Sequence, residues 1–145
     1  MPSLTFYGGV NEIGGNKNLF EADGTKLFLD FGMSFKVANQ YFAEFLQPRK
    51  CSALADFFEL GLLPDFKGIY REDYVKHMGR PEEERSVDAV LLTHAHADHA
   101  QHIHFLRTDI PIYCTNATKI IHRSSSGRSA MKPAAAQTTP LWLAG

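Results

Sequence analysis

The stretch SVDAVLLTHAHADHA, residues 86–100, constrains this chain more than any other. Val87 to Leu92 is an apolar run of the length expected for a buried strand. It runs directly into a polar loop in which His94, His96, Asp98 and His99 fall within six positions. The following DHAQHIHFL reads as the start of a helix, with Asp98 at the N-cap. Further on, IPIYCT is a second buried strand entered through Pro111, and NATKIIH is the first turn or two of another helix. Strand, loop, helix, strand and helix in succession predict an α/β layer arrangement.

Upstream, Leu4–Tyr7 reads as a short strand ended by a glycine pair. NKNLFEADGTKLFLDFG reads as two strands joined by an Asp23-Gly24 turn, a strong hairpin signal. From Met33 to about Glu84 the texture becomes helical, in YFAEFLQ and SALADFFELGLL, with Pro48, Pro64 and Pro81 as punctuation. At 145 residues the chain is expected to build one core. A formal charge of -1 gives no global basic footprint of the kind that grips nucleic acid without sequence preference. Cys51 and Cys114 lie far apart and outside any Cys-x-x-Cys spacing, which suits a reducing compartment better than a disulfide framework. With neither a signal-type start nor a long apolar run, the protein is expected to be cytoplasmic, with no membrane association.

Residues 123–145 break the pattern. They hold three basic residues (Arg123, Arg128 and Lys132) and no acidic one, so all 16 acidic residues lie in residues 1–122 against 12 basic ones. The composition sets 123–145 apart as a linker, a cloning scar or out-of-frame readthrough, and 1–122 as the folded body.

Imidazole nitrogens and carboxylate oxygens are the natural ligands of zinc, manganese and iron. In an extended loop His94 and His96 project to the same side, whereas Asp98 and His99, on a first helical turn, diverge from them. Two adjacent cation positions follow. Cations held so activate water near neutral pH and polarise a substrate oxygen, which suits phosphodiester or acyl hydrolysis. The plain alternative is a polar loop without a metal. The pairs Gly8-Gly9 and Gly14-Gly15 lack a Walker or dinucleotide spacing and read as turn glycines. PEEERS, residues 81–86, reads as a solvated loop or helix start. The helical spacing of Phe35, Tyr41, Phe42, Phe45, Phe57 and Phe58 assigns them to core or subunit contact rather than to base stacking. Neither a Ser-His-Asp order nor a base partner for Cys114 is visible, so covalent catalysis is a poor hypothesis.

THAHADHA resembles the His-x-His-x-Asp-His motif of the metallo-β-lactamase fold superfamily. GGVNEIGGNKNLFEADGTKLFLDFG is similar to the amino-terminal hairpin region of its β-CASP, ribonuclease J-like branch. Asp30 and Gly32 match that family's Asp-x-Gly turn, and the similarity runs from about Leu4 to His122. The resemblance implies that His94 and His96 bind a first metal and that Asp98 and His99 bind a second. It further implies that Asp98 helps orient the nucleophile and that Asp30 steadies a ligand by hydrogen bonding; a turn aspartate capping amides is the alternative. Zinc is the expected metal, as one or two ions, with manganese or iron as substitutes. RNA or DNA is the expected substrate. β-Lactam hydrolysis follows from superfamily membership alone, and fold does not fix substrate.

The family's fold is an α-β-β-α sandwich of two similar halves, and this sequence matches the first. The expectation is therefore a half-sandwich, a mixed sheet with helices on one face, completed by a homodimer or higher oligomer over an otherwise bare sheet face. With two ligands per metal where a catalytic zinc usually has three, weak or absent activity is expected. His102 and His104 are the nearest candidates to fill the gap, against a reading as solvent-facing helix residues; His77 and His122 are weaker ones. The competing functional class is a non-catalytic, metal-binding, self-associating half-domain.

Overall fold

The computed structural model describes residues 1–42 and 53–125. Five strands form one sheet in the order β1 (Ser3–Phe6), β2 (Asn18–Ala22), β3 (Thr25–Leu29), β4 (Ala89–Leu91) and β5 (Ile112–Tyr113). β1, β2 and β3 pair antiparallel, whereas β3, β4 and β5 pair parallel, so the sheet is mixed. The hairpin turn is as expected: Asp23 and Gly24 both have positive φ, at 49° and 82°, the geometry that matches the twist of the flanking strands. Between β3 and β4 lie α1 (Phe35–Tyr41), α2 (Ala53–Glu59) and α3 (Glu72–His77). The four-residue α4 (Ala97–Ala100) follows β4 and passes into a 3-10 segment, Gln101–Phe105; α5 (Asn116–Ser125) follows β5.

Alternation along the strands divides the sheet into two faces. Leu19, Phe28 and Val90 point to the helical side, where they join Phe31, Ala38, Leu54, Phe57, Ile69, Val75 and Phe105 in one buried cluster. Phe28 packs edge-on against Phe31 and Phe66, and Phe57 against Phe105, at centroid distances of 5.1 to 5.8 Å. On the opposite side the register lines up two rows, Leu4-Phe20-Leu27-Ala89 and Phe6-Asn18-Leu29-Leu91-Tyr113. That face is open: Leu4, Phe6, Phe20, Leu91 and Tyr113 are 36 to 56% exposed.

Several expectations shift by small amounts. The strand expected over Val87–Leu92 is regular only over Ala89–Leu91, and that at Leu4–Tyr7 covers Ser3–Phe6. α5 continues to Ser125, past the compositional break at 122. PEEERS does not form a helix, yet Glu83 is anchored, its Oε2 accepting from the Gly68 amide at 2.6 Å. Phe42, Phe57 and Phe58 pack on or in the core as their spacing suggests, while Phe35 and Tyr41 are partly exposed. Phe45, Cys51, most of YFAEFLQ and residues 126–145 lie outside the described residues. No helix among the described residues is long and apolar enough to cross a membrane.

Candidate metal centre

The histidine loop is held by the segment that leaves β3. Asp30 N–H donates to the Leu91 carbonyl at 2.9 Å, Phe31 N–H to His99 at 2.8 Å and Met33 N–H to Ala97 at 3.0 Å, so the chain stays zipped to the motif beyond the last strand residue. Gly32 is required by this approach. A Cβ there would lie 1.7 Å from the Asp98 carbonyl oxygen. Gly14, at φ +85°, is pressed against the same turn, with the Asp98 Cβ 2.8 Å from where its own Cβ would be. The Gly14-Gly15 pair thus serves as a turn that also lets the loop close over Asp98.

Asp98 does not cap the helix. The N-cap of α4 is His96, without a side-chain cap bond, and Asp98 sits inside the first turn. This displacement of two residues carries the carboxylate toward the histidines instead of onto the backbone amides. His94, His96 and Asp98 each bring one ligand atom to a point where all lie within 4.8 Å of one another. His94 Nε2 and His96 Nδ1 are 3.1 Å apart, and His99 Nε2 and Asp98 Oδ2 are 3.3 Å apart.

These spacings fit a cation. Two ligands on a tetrahedral zinc with bonds of about 2.0–2.1 Å stand roughly 3.3 Å from one another. When no ion is bound, the same contacts can be made by a ring N–H donating to its neighbour. The second ring nitrogens of His94 and His99 are occupied in the way ligand histidines require. His94 Nδ1 lies 2.9 Å from the Thr93 hydroxyl and His99 Nδ1 lies 2.7 Å from Asp30 Oδ2. Asp30 is 4% exposed and also accepts from the Thr93 amide at 2.8 Å and the Thr93 hydroxyl at 2.9 Å. Its φ of 61° is a left-handed conformation that aspartate tolerates better than most residues. Asp30 therefore contacts a motif histidine directly and also accepts from a backbone amide.

The other histidines do not join the cluster. His102 is buried, not solvent-facing: it stacks near Phe57 at 5.3 Å, and its Nδ1 has no hydrogen-bond partner among the described residues. Its amide, donated to the Phe31 carbonyl at 3.0 Å, fixes it behind the loop rather than in it. Burial holds its pKa well below the usual histidine value, with the nearby Lys17 charge adding to the effect. His77 and His104 are exposed, and His122, half-buried on α5, also stays outside the cluster. Burial pushes the Cys114 thiol pKa up.

Two participants escape sequence reading. Thr93 touches Asp30, His94 and His99 through one hydroxyl; a small hydroxyl residue directly before the first histidine was the available signal. Asn16 approaches from far away in sequence, its Nδ2 lying 3.2 Å from His99 Nε2 and 3.4 Å from the Asp98 carbonyl. Nothing in GGNKN marks it.

Comparison with known proteins agrees with this geometry. Residues 64–143 match the model of the "Beta-lactamase superfamily domain", a span that includes all four motif residues and extends past the compositional break. The chain is 30% identical over 133 residues to Ribonuclease J of Mycolicibacterium smegmatis (strain ATCC 700084 / mc(2)155), covering 90% of this chain and 19% of that protein. It thus spans about a fifth of that relative's length. A crystal structure of a protein of unknown function from Enterococcus faecalis V583 superimposes with a TM-score of 0.64 at 27% identity, over 84% of this chain and 27% of that one. With a family match over more than half its length, carrying the His94, His96, Asp98 and His99 motif, the chain belongs to the metallo-β-lactamase superfamily.

Proposed function

We propose that this chain carries the metal-binding part of a metal-dependent phosphodiester hydrolase acting on RNA or DNA. The observation that carries the reading is the convergence of His94, His96 and Asp98 within 4.8 Å, with His99 held beside them by Asp30. The similarity to a ribonuclease J favours a nucleic-acid ester over a β-lactam. His94 and His96 hold one zinc, and Asp98 and His99 a second, with manganese or iron as substitutes. A divalent cation bound there lowers the pKa of water toward neutrality and polarises the ester. The chain's own work is positional. Asp30 and Thr93 fix the rings so that their free nitrogens face one point, and the Asp98 carboxylate, next to both pairs, orients the attacking water. Two cysteines outside disulfide spacing support a cytoplasmic setting.

The test is zinc titration of the purified protein with a phosphodiester assay, alongside His96→Ala. Zinc is expected to bind at micromolar levels or below, and binding and any cleavage to disappear together in the variant. Failure of the wild type to bind zinc, manganese or iron would sink the reading; cleavage that survives in His96→Ala would belong to a contaminant or another site.

A second reading, a non-catalytic metal-binding half-domain that self-associates, is favoured by the open apolar sheet face around Leu4, Phe6, Phe20, Leu91 and Tyr113. A second copy packed face to face would cover it in the manner of stacked sheets, about 10 Å apart. Light scattering on the same sample separates the readings: a zinc-loaded dimer without cleavage supports this one, and a clean monomer ends it.

A further inference from the structure

Asn16 reaches the metal loop from a part of the chain that supplies no metal ligand. Its backbone locks it in place on both sides: its N–H donates to the Asp98 carbonyl at 3.2 Å, and its own carbonyl accepts from Gly32 N–H at 3.0 Å. The side chain lies over the same turn. Nδ2 is 3.4 Å from the Asp98 carbonyl oxygen, which only the amide nitrogen can face favourably, so the orientation of the amide is set by chemistry. Its Oδ1 packs toward Gly9, where a Cβ would come within 2.5 Å of it. Nδ2 then stands 3.2 Å from His99 Nε2.

The other nitrogen of His99 is already committed, 2.7 Å from Asp30 Oδ2. A neutral imidazole has one N–H and one lone pair. With the proton on Nδ1 facing Asp30, the single lone pair is on Nε2, the atom that the Asn16 amide faces. It is also the atom 3.3 Å from Asp98 Oδ2, the spacing of two ligands on one ion. An amide hydrogen and a cation cannot share one lone pair.

We propose that Asn16 is the positioning residue that sets occupancy of the second cation position, by capping His99 Nε2 until an ion displaces its amide. The inference rests on the metal reading above and deepens it. At the first position the two rings face each other, His94 Nε2 3.1 Å from His96 Nδ1, so a cation there displaces that pair's own hydrogen bond, whereas the Asn16 amide lies against His99 and the Asp98 carbonyl. The two equivalents should therefore bind unequally. Removing the amide, while leaving the backbone bonds of residue 16 in place, should tighten the second equivalent alone, by roughly the tenfold that a net neutral hydrogen bond represents.

The experiment is calorimetric titration of the full chain with Zn2+, repeated with Co2+ to read coordination by its visible spectrum, on wild type and Asn16→Ala. The expected result is a second equivalent about tenfold tighter in the variant and a first equivalent within twofold. An unchanged second equivalent overturns the gate, and a weaker one makes the amide a ligand and overturns it equally. Should Asn16→Ala fail to fold, nitrogen-15 NMR of the wild type decides: the Asn16 side-chain amide signal must move with the second equivalent and not the first. Wild type that takes up neither equivalent defeats the metal reading and the gate together, whereas unequal binding unaffected by Asn16 defeats the gate alone.

Discussion

His99 and His102 stand one helical turn apart, yet they belong to two different regions. His99 lies in the half-exposed loop, one nitrogen on Asp30 and the other beside Asp98 and Asn16. His102 lies in the floor beneath it, sealed against Phe57 and Phe105, with Nδ1 unpartnered among the described residues. Lys17 shares that floor: it is 2% exposed, and among the described residues its ammonium donates to the Gly15 carbonyl, at 3.3 Å. Both regions therefore hold incompletely satisfied polar atoms. In the loop, access to solvent leaves them open to water or a cation; in the floor no such completion is open, and the same deficiency costs stability. Access, rather than the number of unsatisfied atoms, separates a binding site from a strained core.

The comparison can be broken at the seam between the two regions. Gly32→Ala drives a methyl group into the Asp98 carbonyl, backbone against backbone, so neither side can yield without unzipping residues 30–33 from the loop. We expect a loss on the order of 4 kcal/mol or more, or failure to fold, measured by denaturant unfolding. A loss under about 1 kcal/mol would mean that the loop is not held by this approach.

The floor is probed next through Lys17. Burial pushes its pKa from 10.5 down to about 8. The unfolded chain thus binds the proton more tightly than the native one, and the cost of keeping the ammonium buried is fully present below pH 8 and gone above about 10.5. Lys17→Met should stabilise the protein by up to about 3 kcal/mol at pH 7, with the gain shrinking steadily between pH 8 and 10.5. A destabilised variant at pH 7 would show that the bond to Gly15 outweighs burial.

His102 gives the smallest effect, with the same sign in a more acidic pH window. Its depressed native pKa means that the unfolded chain takes up a proton that the folded chain refuses, so its contribution to stability is lost as pH falls below about 6.5. Between pH 6.5 and 5 the wild type should lose stability more steeply than His102→Met, seen as a steeper fall in the urea midpoint. Parallel pH profiles would place this histidine in contact with water.

The sequence by itself determined the hairpin at Asp23-Gly24, the strand that delivers the motif, the α/β order and the identity of the ligand-type residues. Each of these is local: turn chemistry, apolar periodicity and ligand spacing act over a few residues and survive in a one-dimensional reading. Tertiary structure alone decided that Asp98 enters the helix while His96 caps it, that His102 turns into the core, and that Thr93 and Asn16 join the site. Those outcomes depend on the 30–33 segment and the Gly14 turn closing on the loop across some 70 to 80 residues of chain. An approach of that kind follows from the packing of Phe28, Phe31 and Val90 behind the sheet, and leaves no periodic trace at residue 16 or 93.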